Sequence, residues 1–198
     1  MQHFFRKENR GFSLIELIVV VLIIAILSTG VVMSLSAVYY SDTERAAKKF
    51  ITYMSVARQY AMDENTEDGT TVVINLKMYR GEDGNYYIGV YRNNTLIYPE
   101  TGDSEPELLC KYRVDIYGGG RDSDSPGKSK KLIDSEDYGI RHPLEYTFRK
   151  SSGQIKKAGK SENEETNPSE YFLDLYFEGA QTCKVYIAPA IGRCFLED

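Results

Sequence analysis

The chain has 198 residues, of which 42% are hydrophobic and 27% are charged, and its formal net charge is −5. This length suffices for one domain with a sizeable core and is too short for two ordinary domains. The acidic balance argues against a protein that binds nucleic acid over a broad surface, because such binding is driven by Lys and Arg against phosphate.

The N-terminus combines a short basic segment with a long apolar one. Residues 1–11 carry Arg6, Lys7 and Arg10 against Glu8, which is three positive charges and one negative, a net of +2. The apolar segment that follows extends over roughly 25 residues, and about 20 suffice to cross a bilayer. Positive residues before such a segment stay in the cytoplasm, so the sequence predicts a single pass through the cytoplasmic membrane with the remainder outside.

Two ordinary explanations exist for such an N-terminus, a secretory signal peptide and a plain signal anchor. A signal peptide has an apolar region of about 7–15 residues and then a cleavage site with small residues. Here the apolar region is longer, and the nearest stretch of small residues, 34–37, leads into a helical pattern. Neither explanation accounts for Gly11, Phe12 and Glu16 together.

The stretch Gly11–Glu16 reads GFSLIE and resembles the N-terminal signal of type IV prepilins and type II secretion pseudopilins. The resemblance implies that prepilin peptidase, a membrane-embedded aspartyl protease, cuts between Gly11 and Phe12 and methylates the new terminal amine of Phe12. It implies a structural subunit that is not an enzyme, needs no cofactor and assembles with other pilins or pseudopilins. An assembly ATPase and an inner-membrane platform protein are implied as indirect partners.

Glu16 is a carboxylate at the edge of the unbroken apolar run Leu17–Leu27. Cleavage after Gly11 would leave it about 6 Å from the new terminus along a helix that rises 1.5 Å per residue. A charge in a bilayer is costly and usually marks function, and a paired charge is tolerated better than an isolated one. We therefore expect Glu16 to pair with the terminal amine of Phe12 on a neighbouring subunit and to set the axial register of the filament.

The helical pattern continues beyond the apolar segment, where five residues recur at intervals of three or four: Ala46, Phe50, Tyr53, Ala57 and Tyr60. That spacing marks one face of a helix. Ser41–Glu44 is either a fresh helix start or a polar stretch of one continuous helix. We favour one helix from Phe12 to about Asp63, apolar all round in its first half and amphipathic in its second.

From Thr70 onward the pattern changes to β-strands, rich in β-branched and aromatic residues and separated by turn signals. The predicted strands are Thr70–Met78, Asn85–Tyr91, Thr95–Tyr98, Leu108–Tyr117, Leu144–Arg149, Tyr171–Phe177, Thr182–Ala188 and Arg193–Leu196. Two polar segments, Gly118–Lys131 and Ser151–Ser169, are predicted as surface loops or partly disordered insertions.

These elements and the resemblance together predict an α+β protein with the pilin fold, in which a long N-terminal helix packs on an antiparallel β-sheet head. Four segments are expected: a leader at 1–11, a transmembrane and filament-core helix at 12–38, its amphipathic continuation at 39–65, and an extracytoplasmic head at 66–198.

The C-terminus is similar to that of GspH/FimT-type minor pseudopilins, which end in a final hairpin with a Thr-Gly-Arg-like turn. Gly192 and Arg193 match this turn, and Ile191 stands where Thr is usual. Some FimT-like pilins bind DNA through a second Arg two residues later, and Phe195 holds that position here. Loss of the leader takes the net charge from −5 to −7, which argues against the alternative of a competence pseudopilin in DNA uptake. A signal-anchored extracellular binding module is a further alternative.

Catalytic and metal-binding patterns are weak, and we predict neither a catalytic nor a metal site. His3 lies in the expected leader, and His142 precedes a proline with no cluster of metal ligands around it. The stretch 127–129, Gly-Lys-Ser, lacks the earlier glycine of a phosphate-binding loop. Asp122 and Asp124 begin a calcium-loop pattern that later positions break.

Three cysteines lie in the exported part of the chain. Cys183 and Cys194 fall on neighbouring predicted strands, where they would form a disulfide that leaves Cys110 unpaired. Three free buried thiols are at least as consistent with the sequence, because three cysteines do not make a disulfide framework.

Overall fold

The computed structural model describes residues 13–64, 72–100, 105–120, 127–131, 143–160, 173–179 and 181–197. The chain divides into two compact units, Met1–Val38 and Tyr39–Asp198. Within the described residues, the elements are one helix and eleven strands, all of them paired antiparallel. This confirms the predicted α+β class.

Helix α1 spans Leu14–Asp63. Its sequence holds no proline and a single glycine, Gly30, so nothing in it forces a break. No new helix start occurs at Ser41–Glu44, which confirms the prediction of one helix and removes the alternative. Phe12, the predicted first residue, lies outside the described residues.

The strands form two sheets. Their bounds are β1 Ile74–Arg80, β2 Tyr86–Arg92, β3 Thr95–Tyr98, β4 Glu107–Cys110, β5 Asp115–Gly120, β6 Gly127–Lys131, β7 Leu144–Phe148, β8 Ile155–Lys160, β9 Asp174–Glu178, β10 Thr182–Ala188 and β11 Arg193–Glu197. The first sheet has the order β3-β2-β1-β7-β8, and β4 also pairs with β2. The second has the order β11-β10-β9-β5-β6. The head therefore contains two antiparallel sheets, where the sequence analysis predicted one.

The predicted strand Leu108–Tyr117 is wrong as one element, because the chain turns in its middle. Val114 N donates a hydrogen bond to Lys111 O over 3.1 Å, and this turn separates β4 in the first sheet from β5 in the second. Apolar and polar residues alternate from Cys110 through the turn to Ile116, so the sequence pattern does not reveal the crossing from one sheet to the other.

The two segments predicted as loops, Gly118–Lys131 and Ser151–Ser169, each contain strand residues. The first holds the end of β5 and all of β6, and the second holds β8. Their polar side chains gave no strand signal, but sheet pairing runs through main-chain groups, which every non-proline residue supplies. Residues 121–126 and 161–172 lie outside the described residues.

The core of the second unit forms where the later part of α1 meets both sheets. The Phe50 ring lies 5.9 Å from the Tyr146 ring of β7 and 5.9 Å from the Phe177 ring of β9. Four of the five residues on the predicted helix face are fully buried, and Tyr60 is partly buried. The helix also buries Ala47, Met54 and Ala61, because a face that contacts two sheets is wider than a single stripe.

A polar contact on the same stretch of α1 ties the helix to β4. Lys49 Nζ donates to Glu107 Oε1 over 2.6 Å and to Leu108 O over 2.7 Å, and the Tyr53 hydroxyl donates to Glu107 Oε2. Burial acts to raise the pKa of Glu107, but the hydrogen bonds from Lys49 and Tyr53 and the charge of Lys49 outweigh it and lower the pKa below its ordinary value.

Substitution of Glu107 by Gln is expected to destabilise the fold at pH 7 and to have little effect in acid. A carboxylate with a lowered pKa contributes stability above its unfolded pKa and loses it as pH falls through the folded value. Since Glu107 is partly exposed, we expect a loss of about 1 kcal/mol at pH 7. Urea unfolding of both proteins between pH 3 and 7, a range chosen around the ordinary Glu pKa of about 4.3, measures the difference. Glu82→Gln, at an exposed turn, is the matched control. A difference that does not shrink in acid would contradict this account.

Candidate assembly surface and C-terminal turn

The first turn of α1 is held by Ser13 and places Glu16 on the surface. Glu16 N donates to Ser13 Oγ over 3.2 Å and to Ser13 O over 3.0 Å. This is the N-cap bond of a capping box, in which Ser or Thr is followed three residues later by Glu or Gln. An acidic side chain in the first turn also faces the positive end of the helix dipole. Ser13 therefore caps the helix, and the charge of Glu16 favours its first turn. The sequence analysis did not assign these local roles to the Ser-x-x-Glu spacing.

The helix segment after Ser13 exposes its apolar side chains all round. Twelve large apolar residues here are 47% to 79% exposed: Leu14, Ile15, Leu17, Ile18, Val19, Val20, Val21, Leu22, Ile23, Ile24, Ile26 and Leu27. Large exposed apolar surfaces mark contact with other proteins or with membranes. A helix that is apolar on every face belongs inside a large core or in lipid.

No helix within the described residues is long and apolar enough to cross a membrane.

The predicted C-terminal turn, Gly192 and Arg193, lies beside α1 and the β7–β8 hairpin. Gly192 adopts a φ of 61°, which side chains rarely permit, and a Cβ placed there would lie 1.8 Å from Gly153 O. Arg58 Nε of α1 donates to Ile191 O over 2.9 Å. Glycine is thus required at 192 by both conformation and close approach.

The β7–β8 hairpin joins the same contact region and closes the end of the helix. Ser151 N donates to Ala61 O over 3.0 Å, which satisfies a carbonyl in the last turn of α1. Ile155 N donates to Pro189 O over 3.0 Å. Gly192 therefore fixes three parts of the head against one another, and Arg58 and Gly153 are members that the sequence analysis missed. Their contacts are long-range, so no local pattern marks them.

Arg193 is exposed on the edge strand β11, next to Cys194 and two residues before Phe195, which is 47% exposed. The arrangement offers phosphate one guanidinium and an aromatic ring rather than two cations. Lys156 and Lys157 lie on β8, while Lys128, Lys130 and Lys131 lie on β6, whose side chains are outside the described part. Arg58 of α1, which donates to Ile191 O, is a described cation beside the turn that precedes Arg193.

The structure does not bring Cys183 and Cys194 together. Cys194 pairs in register with Ile187, four residues from Cys183 along β10. At about 3.3 Å per residue, that offset is about 13 Å, and a disulfide needs Cα atoms within about 7 Å. Cys110, Cys183 and Cys194 are free. The interpretation of three free thiols therefore replaces the disulfide.

Burial makes two of these thiols weak acids. It raises the pKa of Cys110 and of Cys194 to about 12 in each case. Because the thiolate is the reactive form, both sulfurs are unreactive near neutral pH. Cys110 acts as a small apolar side chain in the core, and Cys194 packs against the core while partly buried.

Several residues considered in the sequence analysis lie outside the described residues: Gly11, Phe12, His3, His142, Asp122 and Asp124. Among the residues that are described, no group of three or more His, Cys, Asp or Glu side chains is placed to hold a metal ion.

The family model named prokaryotic N-terminal methylation motif matches residues 6–32. This match supports a type IV pilin-like or pseudopilin-like precursor. No curated protein and no solved structure matches it. The match covers Gly11, Phe12, Glu16 and the exposed apolar residues of the helix, and the antiparallel sheets that follow the helix are consistent with the pilin fold.

Proposed function

We propose that the chain is a minor pilin or pseudopilin, a structural subunit of a type IV pilus or a type II secretion-like filament. Prepilin peptidase removes residues 1–11 and methylates Phe12. The subunit waits in the cytoplasmic membrane with its head outside, then enters the filament, where an assembly ATPase and a platform protein act on it indirectly. The GspH/FimT subtype belongs to the same proposal and rests on the Gly192-Arg193 turn.

The exposed apolar residues of α1 carry the proposal. Full burial of a Leu, Ile or Val side chain is worth about 1.5–3 kcal/mol, so the twelve residues represent tens of kcal/mol. These side chains contact lipid while the subunit is in the membrane, and they contact helices of other subunits in the filament. No part of this argument needs a catalytic residue.

Glu16 is the residue of this segment that the two environments treat differently. In the membrane its charge stands beside apolar neighbours, whereas in the filament it pairs with the terminal amine of Phe12 on an adjacent subunit. A pair of opposite charges in low dielectric is strong, and removal of one partner costs about 3–5 kcal/mol. The pair thus favours one axial register.

Substitution of Glu16 by Ala is expected to reduce co-assembly with partner pilins at least tenfold, since about 1.4 kcal/mol corresponds to a factor of ten. The measurement is the amount of subunit recovered in sheared filaments relative to the membrane pool. Recovery equal to that of the unchanged protein would refute the register role.

Two further variants separate the charge of Glu16 from its part in the helix cap. Glu16→Gln keeps a capping-box residue and loses the charge, while Ser13→Ala loses the cap and keeps the charge. We expect Glu16→Gln to assemble as poorly as Glu16→Ala and Ser13→Ala to assemble well. If Glu16→Gln assembles well and Ser13→Ala assembles poorly, the loss of assembly is due to the helix cap and not to the charge.

A role in DNA uptake is not favoured by the described surface, where Arg193 has Phe195 in place of a second cation. The alternative of a signal-anchored binding module differs in a measurable way, since it would keep residues 1–11 and would not purify with other pilins.

A further inference from the structure

A pocket of about 370 Å³ opens between the second half of α1 and strand β4. Four residues of α1 line one side, and the stretch Leu108–Lys111 lines the other. The α1 residues are Asp42, Arg45, Lys48 and Lys49. Leu109 and Cys110 are buried at the inner side of the β4 wall, whereas Leu108 is 37% exposed. The pocket therefore has an apolar wall beneath charged groups.

Two of the four cations that line the pocket are in ion pairs, and the other two are exposed at its rim. Lys49 is engaged by Glu107 and Leu108 O, and Lys48 pairs with Glu44 at an exposed site. Arg45 and Lys111 are exposed at the rim. The lining itself holds four cations and one acid, Asp42, while Glu44, Glu107 and Asp115 next to it bring the local charges into balance. The two exposed cations of the rim therefore stand on an acidic protein without an ion pair to either of these neighbouring glutamates.

The position of the pocket residues in the sequence indicates which layer of the membrane lies next to them. The apolar segment ends at Val38 and is followed by Tyr39 and Tyr40. Tyrosines are enriched where a membrane helix passes through the headgroup layer. The pocket residues begin two positions later, at Asp42. In a subunit anchored as proposed above, they come directly after the residues expected at the headgroups.

We propose that this pocket binds the phosphate of an anionic phospholipid while the subunit waits in the membrane. Arg45 and Lys111 contact the phosphate, while Lys48 and Lys49 stay paired with Glu44 and Glu107. The wall formed by Leu108 and Leu109 contacts the glycerol and upper acyl carbons. An acidic side chain of a second copy would supply the negative charge but no carbons for the apolar wall. A lipid matches both the cations and the apolar wall of the pocket. This inference rests on the proposed membrane anchoring.

The test is native mass spectrometry of the full chain in detergent micelles with added phosphatidylglycerol or phosphatidylcholine. The test variant is Arg45→Gln with Lys111→Gln. The control is Arg149→Gln with Lys156→Gln, which removes the same two charge types at exposed positions away from the pocket. Since each basic residue near an anionic lipid surface contributes measurably, we expect about a tenfold weaker retention of phosphatidylglycerol in the test variant alone.

Five outcomes would overturn the inference. Equal retention of the two lipids, or equal retention by the test and control variants, removes the anionic lipid site. Displacement of phosphatidylglycerol by millimolar inorganic phosphate assigns the pocket to free phosphate. If the protein forms dimers in phosphatidylcholine and the test variant does not, the pocket binds a second copy of the chain. A chain that stays soluble without any micelle refutes the anchoring itself, which separates failure of the proposed function from failure of the lipid site.

Discussion

Substitution of Phe50 by Ala is expected to destabilise the head by about 3–5 kcal/mol. Phe50 is fully buried and its ring contacts Tyr146 in one sheet and Phe177 in the other. Its loss leaves a cavity where α1 and both sheets meet. A shift of the helix towards one sheet would move it away from the other, so the cavity stays unfilled. The cost is therefore at the upper end for an aromatic residue.

Thermal unfolding of the full chain, followed by near-ultraviolet circular dichroism, measures this loss. The chain has 16 Tyr and no Trp, so the signal reports mainly on tyrosines such as Tyr53, Tyr86 and Tyr146, which are buried in the head. A fall of roughly 10 °C in Tm is expected. Phe195→Ala is the control, because Phe195 is 47% exposed on β11. Equal Tm values for the two variants would contradict the bridging role of Phe50.

Substitution of Gly192 by Ala is expected to cost about 2–5 kcal/mol, although it adds a single methyl group. The left-handed conformation costs a side chain about 1–2 kcal/mol, and relief of the contact with Gly153 O requires a backbone shift worth about 1–3 kcal/mol. The affected backbone also carries the hydrogen bonds to Arg58 and to the β7–β8 hairpin. The change should therefore loosen the C-terminal turn from α1.

A second glycine separates conformational strain from the close contact. Gly84 has a φ of 80°, and the nearest atom to an added Cβ there is Arg80 Nη2 at 3.5 Å. Gly84→Ala should show the strain alone, about 1–2 kcal/mol. If urea unfolding gives the two variants equal losses, the contact between Gly192 and Gly153 does not constrain the fold.

The sequence was most informative where one interaction dominates the local structure. The apolar run and the motif around Gly11 predicted the N-terminal helix, and the spacing of Phe50 and Tyr53 predicted its buried face. The division of the Leu108–Tyr117 segment between two sheets was not predictable from periodicity, because alternation is the same in either sheet. The three-part contact at Gly192 is non-local, and the sequence pointed to the turn but not to Arg58 or Gly153.

The position of the cysteines shows a similar limit. Strand assignment correctly placed Cys183 and Cys194 on neighbouring strands, and the disulfide prediction then depended on their register. The length of the turn at Pro189–Gly192 sets that register and leaves the two residues about 13 Å apart. Strand order alone does not supply that information.

Mass spectrometry of the mature N-terminus tests the central claim most directly. The protein is isolated from membranes of a cell that makes prepilin peptidase, and its N-terminal peptide is sequenced. The account predicts a peptide that begins at Phe12, with one methyl group on its amine. A mature membrane population that retains Met1 and an uncut Gly11–Phe12 bond would contradict it.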